Sequence, residues 1–509
     1  MTLRLYRWRL PIVPALFCAA LAGSGRAEDR PQWGERFSRN MISEETSLPA
    51  SFDPATGENV KWSVSLGTES YSTPVISGGR IVVGANNGEP RDPRHQGDRG
   101  VLLCLDEADG SLHWQLVVPK FQGDIYLDWP GAGICSSATV EGERVYIVTN
   151  RAEVLCLDLL GQANGNDGPY LDEGRHMVLP DQKPMEVTPI DADILWRFAM
   201  PSEVGMHPHD AAHSAILIDG QYLYVNTGNG VDRTHRKIPG ADAPSLIVLD
   251  KSTGRLIARD GEPIGPRIFH CTWSSPALGV VDGRRLIFFC GGDGVCYAFK
   301  ALTPGIAPGP VQTLDRVWRF DCDPTAPKED LNRYKRNRRV SPSNVKSMPV
   351  FYKNRIYVTV GGDIWWGKDE AWLQCIDATR TGDVTETALL WSYPLNRHCC
   401  STPSIHNGLV FVADYGRTIH CVDAETGKPY WTHDTRGEMF ASTLLADGKV
   451  YIGTRRGEFL IFAAEREKKI LASIEMGESI AGSPVAANGV LYVATLERLW
   501  AIRETASAE

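Results

Sequence analysis

The chain has 509 residues, 43% hydrophobic and 23% charged, with a formal net charge of −9. An acidic chain with one short basic run and no extended basic surface is not expected to partner nucleic acid or anionic membranes, because both demand large clusters of Lys and Arg. Length alone would suggest three or four domains, but a repeated pattern of short strands argues for one closed ring.

Residues 1–27 read as a targeting segment. Arg4, Arg7 and Arg9 form its positive start, and residues 10–22 form its apolar centre. Ala20-Leu21-Ala22 or Gly25-Arg26-Ala27 offers a small-residue cleavage site. Pro11 and Pro14 interrupt an apolar run already too short to span a bilayer well. The bulky Phe17 before Cys18 argues against lipidation. The expectation is export, to the periplasm or the exterior, with no transmembrane segment elsewhere. Residues 28–58 follow as a lead-in, 59–504 as the repeats, and 505–509 as a tail.

Residues 60–64, Val-Lys-Trp-Ser-Val, form a lone strand before the first repeat. Eight units then begin near Ser72-Thr73-Pro74, Ser136-Ser137, Ser214, Ser274-Ser275-Pro276, Met348-Pro349, Ser401, Ala441-Ser442-Thr443 and Ser483-Pro484. The unit at 399–434 is the clearest. It reads as strands at 401–405, 409–413, 418–422 and 429–432, parted by turns rich in Gly, Asn and Asp. One such meander cannot bury both faces, so copies must stack. The last unit stops after Trp500-Ala501-Ile502 and lacks a fourth strand. The strand at 60–64 can supply it, closing the ring and removing both exposed edges. The predicted fold is all-β: an eight-bladed β-propeller closed by an N-terminal strand.

The stretch Asp423-Ala424-Glu425-Thr426-Gly427-Lys428-Pro429-Tyr430-Trp431 fits D-x-x-T-G-x-x-x-W. This motif resembles the repeat of the PQQ-dehydrogenase-like propellers, in which Trp and Gly of neighbouring blades dock together. The opening, Pro31-Gln32-Trp33-Gly34, resembles secreted, uncharacterised members. The resemblance implies the fold rather than an activity, because the same fold serves the lipoprotein of the outer-membrane assembly machine.

Of twelve cysteines, Cys104, Cys156, Cys375 and Cys421 occupy one equivalent place on the third strand of four different blades. They read as small buried hydrophobes that do not pair with each other. Cys290 and Cys296 flank a hairpin, an awkward placement for a bridge. Four stretches exceed what a blade needs: 161–193, 232–244, 322–345 and 362–371. The third is basic around 333–339 and reads either as an anion grip or as a solvated face.

The segments just before the first strands should line one mouth of the central channel. His207, His209, His213, His270 and His398 all fall there, out of twelve histidines. His209, Asp210, His213, His270, Trp273, His398, Cys399 and Cys400 are therefore the candidate ligand-binding residues. His207, His209 and His213 are the weaker candidates for a metal, being loop residues without helical spacing. In quinoprotein dehydrogenases an adjacent-cysteine disulfide stacks on PQQ opposite a Trp, with calcium held by Glu, Asn and Asp. Resemblance thus places PQQ with Ca2+ at this mouth as an alternative, with Cys399-Cys400 and Trp273 as its platform. No motif here matches the calcium ligands or a catalytic Asp, so no catalytic residue is assigned. No C-x-x-C-H, G-x-S-x-G, P-loop or H-E-x-x-H motif occurs. The sequence reading is an exported scaffold that binds a small-molecule ligand or a protein at the axial mouth. Its alternatives are a PQQ-dependent alcohol or polyol dehydrogenase and, third, a metal-dependent hydrolase or lyase.

Overall fold

The computed structural model describes residues 28–211, 213–305 and 309–504. The predicted targeting segment at 1–27 and the tail at 505–509 lie outside the described residues. No helix among those described is long and apolar enough to cross a membrane.

Eight sheets, each an antiparallel meander of four strands, follow one another along the chain, as the repeats predict. Four of them gain a short fifth strand. The first strands are Val75–Ser77, Thr139–Glu141, Leu217–Asp219, Ala277–Val281, Val350–Tyr352, Ser404–His406, Leu444–Ala446 and Val485–Ala487. The ring closes as expected: Val60–Ser65 pairs antiparallel with Arg498–Ile502, placing Trp62 opposite Ala501. The core lies between neighbouring blades. Val82 and Leu102 of the first blade, for example, pack in one buried cluster with Val145 and Leu155 of the second.

Tryptophans on the outer strands hold blade to blade. Trp62, Trp114, Trp196, Trp318, Trp391 and Trp431 each donate their indole N–H to a carbonyl of the next blade, at 2.9 to 3.3 Å. Each buries a large apolar ring while its one polar atom finds a partner. The Gly of the motif makes this contact fit. Gly254 sits at φ +70°, and a Cβ there would lie 2.5 Å from the Trp196 ring. The four repeat-equivalent cysteines lie opposite these rings, Cys104 facing Trp114 and Cys421 facing Trp431.

The Ser and Thr residues that open most units precede the first strands rather than begin them; in the sixth blade the strand starts at Ser404, not Ser401. Their hydroxyls form a belt around the channel. Backbone N–H groups donate to the next blade's hydroxyl: Ser483 to Thr73, Thr73 to Ser137, Ala215 to Ser275, Met348 to Thr402, Thr402 to Ser442 and Ser442 to Ser483. Short polar side chains are needed there because backbone donors lining a narrow channel have no strand partner.

The lead-in is more than a leader. Residues 30–45 touch every blade in turn and plug the channel. Arg30 bridges to Ile76, Pro31 accepts from Val140 N, and Phe37 and Ser38 accept from Leu278 N and Phe351 N. Asn40 exchanges two bonds with Ile405, Met41 accepts from Leu445 N, and Ser43 Oγ donates to Ala486 O. Arg39 is fully buried and donates to the carbonyls of Trp33, Ala215 and Pro276 at 3.1, 2.9 and 2.9 Å.

Candidate functional site at the axial mouth

With one end plugged, the channel becomes a blind cavity of about 410 Å³. Trp33 of the plug lies on its lining, held by an indole bond to Thr73 Oγ1 at 2.9 Å. Trp129, Trp273, Trp365 and Trp366 stand around it, with Lys346 and Arg455 among the lining residues. Two donors on this lining are buried without a hydrogen-bond partner: Trp273 Nε1 and Arg455 Nε.

The loop carrying Trp365 and Trp366 is positioned by the basic run. Arg338 donates to the carbonyls of Ile364, Gly367 and Trp365, and Arg336 N donates to Trp366 O. Lys335 Nζ lies 4.3 Å from the centre of the Trp366 ring and donates to Thr234 O. Arg338 and Lys335 therefore serve neither as an anion grip nor as a merely solvated face; they clamp a loop.

Behind the aromatic wall lies a histidine cluster, built by a local close approach. The segment 229–231 runs between 207–209 and 270–272. Pro208 bridges to Asn229 and Gly230 to Cys271, while Gly230 N donates to His207 O and Val231 N to His270 O. A Cβ at Gly230 would lie 2.6 Å from the Cβ of His209 and 3.0 Å from His270 O, so a side chain there would push the histidines apart. His235 enters from the turn that follows, where Asp232 accepts from the Arg236 and Lys237 amides. His209 Nε2 lies 3.1 Å from His235 Nε2, and His209 stacks on Tyr126. His270 Nδ1 lies 3.0 Å from Asp363 Oδ2, and its Nε2 lies 3.2 Å from Asp210 Oδ2. Asp363 also takes Lys346 Nζ at 3.0 Å, Asn344 Nδ2, and the amides of Trp365 and Trp366.

Electrostatics divide these groups in two. Burial alone would neutralise Asp363, yet Lys346 and His270 hold its carboxyl well below the usual range. Burial likewise opposes charge on His270, but Asp363 holds the imidazolium well above its ordinary value. Lys346 is raised by the same carboxylate against its own desolvation. His209 and His235 go the other way: burial, reinforced by the neighbouring His270, lowers them to about 3 and about 4. At neutral pH the site thus holds buried ion pairs beside two neutral imidazoles.

The candidate residues divide by position. Asp210, His213, Trp273 and Cys400 line the cavity. His209 and His270 are buried within the cluster just behind it. His398 is buried too, and burial with Lys346 nearby lowers it to about 3; it is not among the lining residues. Cys399 turns into the core between the fifth and sixth blades, its sulfur facing Ser401 O, and the two neighbouring sulfurs are unbonded. Cys290 and Cys296 stand opposite each other in register and are likewise unbonded. Of the metal candidates, His209 joins a cluster, but with His235 and His270 rather than with His207 and His213. His235, Tyr126 and Trp129 escaped the sequence reading, and Trp33 enters it only as part of the opening, not as a site residue. None occupies a repeat-equivalent position, and only the length of the 232–244 loop hinted at His235.

The family model described as outer membrane protein assembly factor BamB matches residues 44–300 and 369–470. A quinohemoprotein alcohol dehydrogenase from Comamonas testosteroni is 26% identical over 108 residues, which are 19% of this chain and 15% of that protein. The matched stretch is thus a small part of the dehydrogenase's length. Among solved structures, BamB from Moraxella catarrhalis superposes with TM-score 0.51 at 12% identity, over 87% of this chain and 97% of that one. A europium-containing methanol dehydrogenase superposes with TM-score 0.58 at 12% identity, over 92% and 90%. At such identities these superpositions speak for the fold.

Proposed function

For a chain that belongs to the PQQ-like β-propeller family described as outer membrane protein assembly factor BamB, we propose a ligand-binding role at the axial mouth. The ligand is a flat, anionic small molecule, and the propeller is the rigid module that receives it. The observation that carries this reading is the blind cavity, with tryptophans around it and two buried donors, Trp273 Nε1 and Arg455 Nε, that have no acceptor. Aromatic walls favour a planar ring, and an unpaired buried donor is costly until an acceptor arrives. Export of the mature chain belongs to the same reading, supported by the composition of residues 1–27. A protein partner at this mouth is the variant that the assembly-factor relatives favour.

Calorimetric titration of the mature chain with a panel of aromatic mono-, di- and tricarboxylates, PQQ included, tests the proposal. Trp273→Phe keeps the wall and removes one donor; Arg455→Met removes the other. Each should weaken binding of the best acid about tenfold, one charge-assisted hydrogen bond being worth about 1.5 kcal/mol or more. Unchanged affinity in both variants would refute it.

A second reading, a quinoprotein-type oxidoreductase, draws support from Trp273 and Cys400, which line the same cavity. A bound quinone would supply redox chemistry there, and Trp273, Lys346 and Arg455 would hold it. The calcium half of that cofactor fits poorly. Asp210 is the carboxylate on the lining, and it faces His270, while Asp363 is taken by Lys346 and His270. Cys399 and Cys400 also face different surroundings. Saturable PQQ binding without added calcium, in the panel above, would raise this reading over the first.

A further inference from the structure

We infer that His209, His235, His270 and Asp210 form a binding site for a divalent transition-metal ion in the wall of the axial cavity. One ring nitrogen from each of the three histidines lies within 4.8 Å of the others, and all three residues are buried. His209 Nε2 and His235 Nε2 are 3.1 Å apart. Two nitrogens bound tetrahedrally at about 2.0–2.1 Å from one ion would be about 3.3 Å apart. Asp210 supplies the oxygen: Oδ1 is 3.6 Å from His209 Nε2 and Oδ2 is 3.2 Å from His270 Nε2. Imidazole with a single carboxylate suits zinc, cobalt, nickel, copper or iron, and disfavours calcium and magnesium, which want oxygen ligands.

Two further features belong to a built site. The first is the support behind His270. Its Nδ1 lies 3.0 Å from Asp363, leaving Nε2 turned to the cluster, where the ion would take the place of the proton, and Asp363 is itself held by Lys346, Asn344 and two backbone amides. A carboxylate behind a histidine is the usual way a protein fixes the ring of a metal ligand. The second is backbone conformation. Asp210 and His235 stand at φ +61° and +56°, a region that residues with a side chain seldom enter. Asp210, next in the chain to His209, and His235 thus flank the 3.1 Å contact between His209 and His235, and coordination gives both strained residues a reason. Asp210 and His235 also line the cavity, so the ion would be reachable from it.

The inference does not rest on the ligand reading, because the metal is tested alone. The mature chain is stripped with a chelator, then titrated with Co2+ by calorimetry and visible absorption. The expected result is one Co2+ per chain, with the visible bands of a four- or five-coordinate ion, displaced by Zn2+. His235→Ala alters a loop outside the sheets and should weaken binding by more than the 10–100-fold typical of losing an outer-shell partner. His209→Ala should do the same, and His207→Ala should leave binding unchanged. If His209→Ala melts early, His235→Asn with an unchanged melting curve decides. No saturable binding by the unaltered chain, or equal binding in His235→Ala, overturns the site and reduces the 3.1 Å contact to an N–H···N bond between two neutral rings.

Discussion

Replacing Arg39 by Met tests whether the lead-in is a structural plug. Arg39 has no exposure and no carboxylate partner; its donors go to three carbonyls, those of Trp33, Ala215 and Pro276. Methionine keeps much of the stem and removes every donor. Each buried carbonyl left without a donor costs about 1–3 kcal/mol. Against this, the variant no longer desolvates a guanidinium. The scale of that cost is visible in the side chain's pKa, which burial lowers to about 9, a gap worth about 5 kcal/mol. The two effects oppose, about 3–9 kcal/mol lost against about 5 regained, so the net change in denaturant unfolding lies between a gain of about 2 and a loss of about 4 kcal/mol. A sharper signature is local. Trp33 should become open to acrylamide quenching, and a protease should cut within residues 28–58 while the blades stay intact. A variant with wild-type unfolding midpoint, quenching and protease resistance would refute the reasoning, because three orphaned carbonyls cannot be silent in a buried channel.

Deleting residues 28–66 removes both the plug and the closing strand, so cooperative unfolding should be lost and aggregation should rise at the exposed edges; an unchanged melting curve would contradict closure. Gly254→Ala should destabilise by about 1–3 kcal/mol in denaturant titrations, since the residue sits at φ +70° and its new Cβ would meet the Trp196 ring at 2.5 Å. Asp260 is raised to about 6 by burial, although it accepts the amides of Ser245 and Leu246. A folded carboxyl with a raised pKa adds stability that is full below its unfolded value near 3.8 and lost as pH rises through about 6. The stability of the wild type relative to Asp260→Asn should therefore fall by up to about 3 kcal/mol between pH 4 and pH 7, and a flat or rising difference would reverse the assignment.

What the sequence made legible was whatever repeats. Eight unit openings, seven of them with Ser or Thr, and the Asp-to-Trp turns report local strand and turn chemistry, and the missing fourth strand of the last unit forces closure by residues 60–65. The mouth was legible for the same reason: His209, Asp210, His270 and Trp273 hold equivalent places before first strands, so they meet although far apart in the chain. The rest was hidden because it does not repeat. Residues 30–45 have neither helix nor strand periodicity, and nothing in the sequence sets Arg39 apart; its role emerges only when three carbonyls from separate segments surround it. His235 sits in a loop of no fixed register, brought to His209 by the absence of a side chain at Gly230. The basic run at 333–339 showed its charge but not its object, which turned out to be carbonyl oxygens and an indole ring.

The central claim, that the axial cavity receives the ligand, is tested most directly by filling it. Ala211 lines the cavity and takes part in neither the belt nor the histidine cluster. Ala211→Trp should abolish calorimetric binding of the tightest aromatic acid found for the wild type, with the melting temperature unchanged. Wild-type affinity in that variant would place the ligand elsewhere and contradict the account.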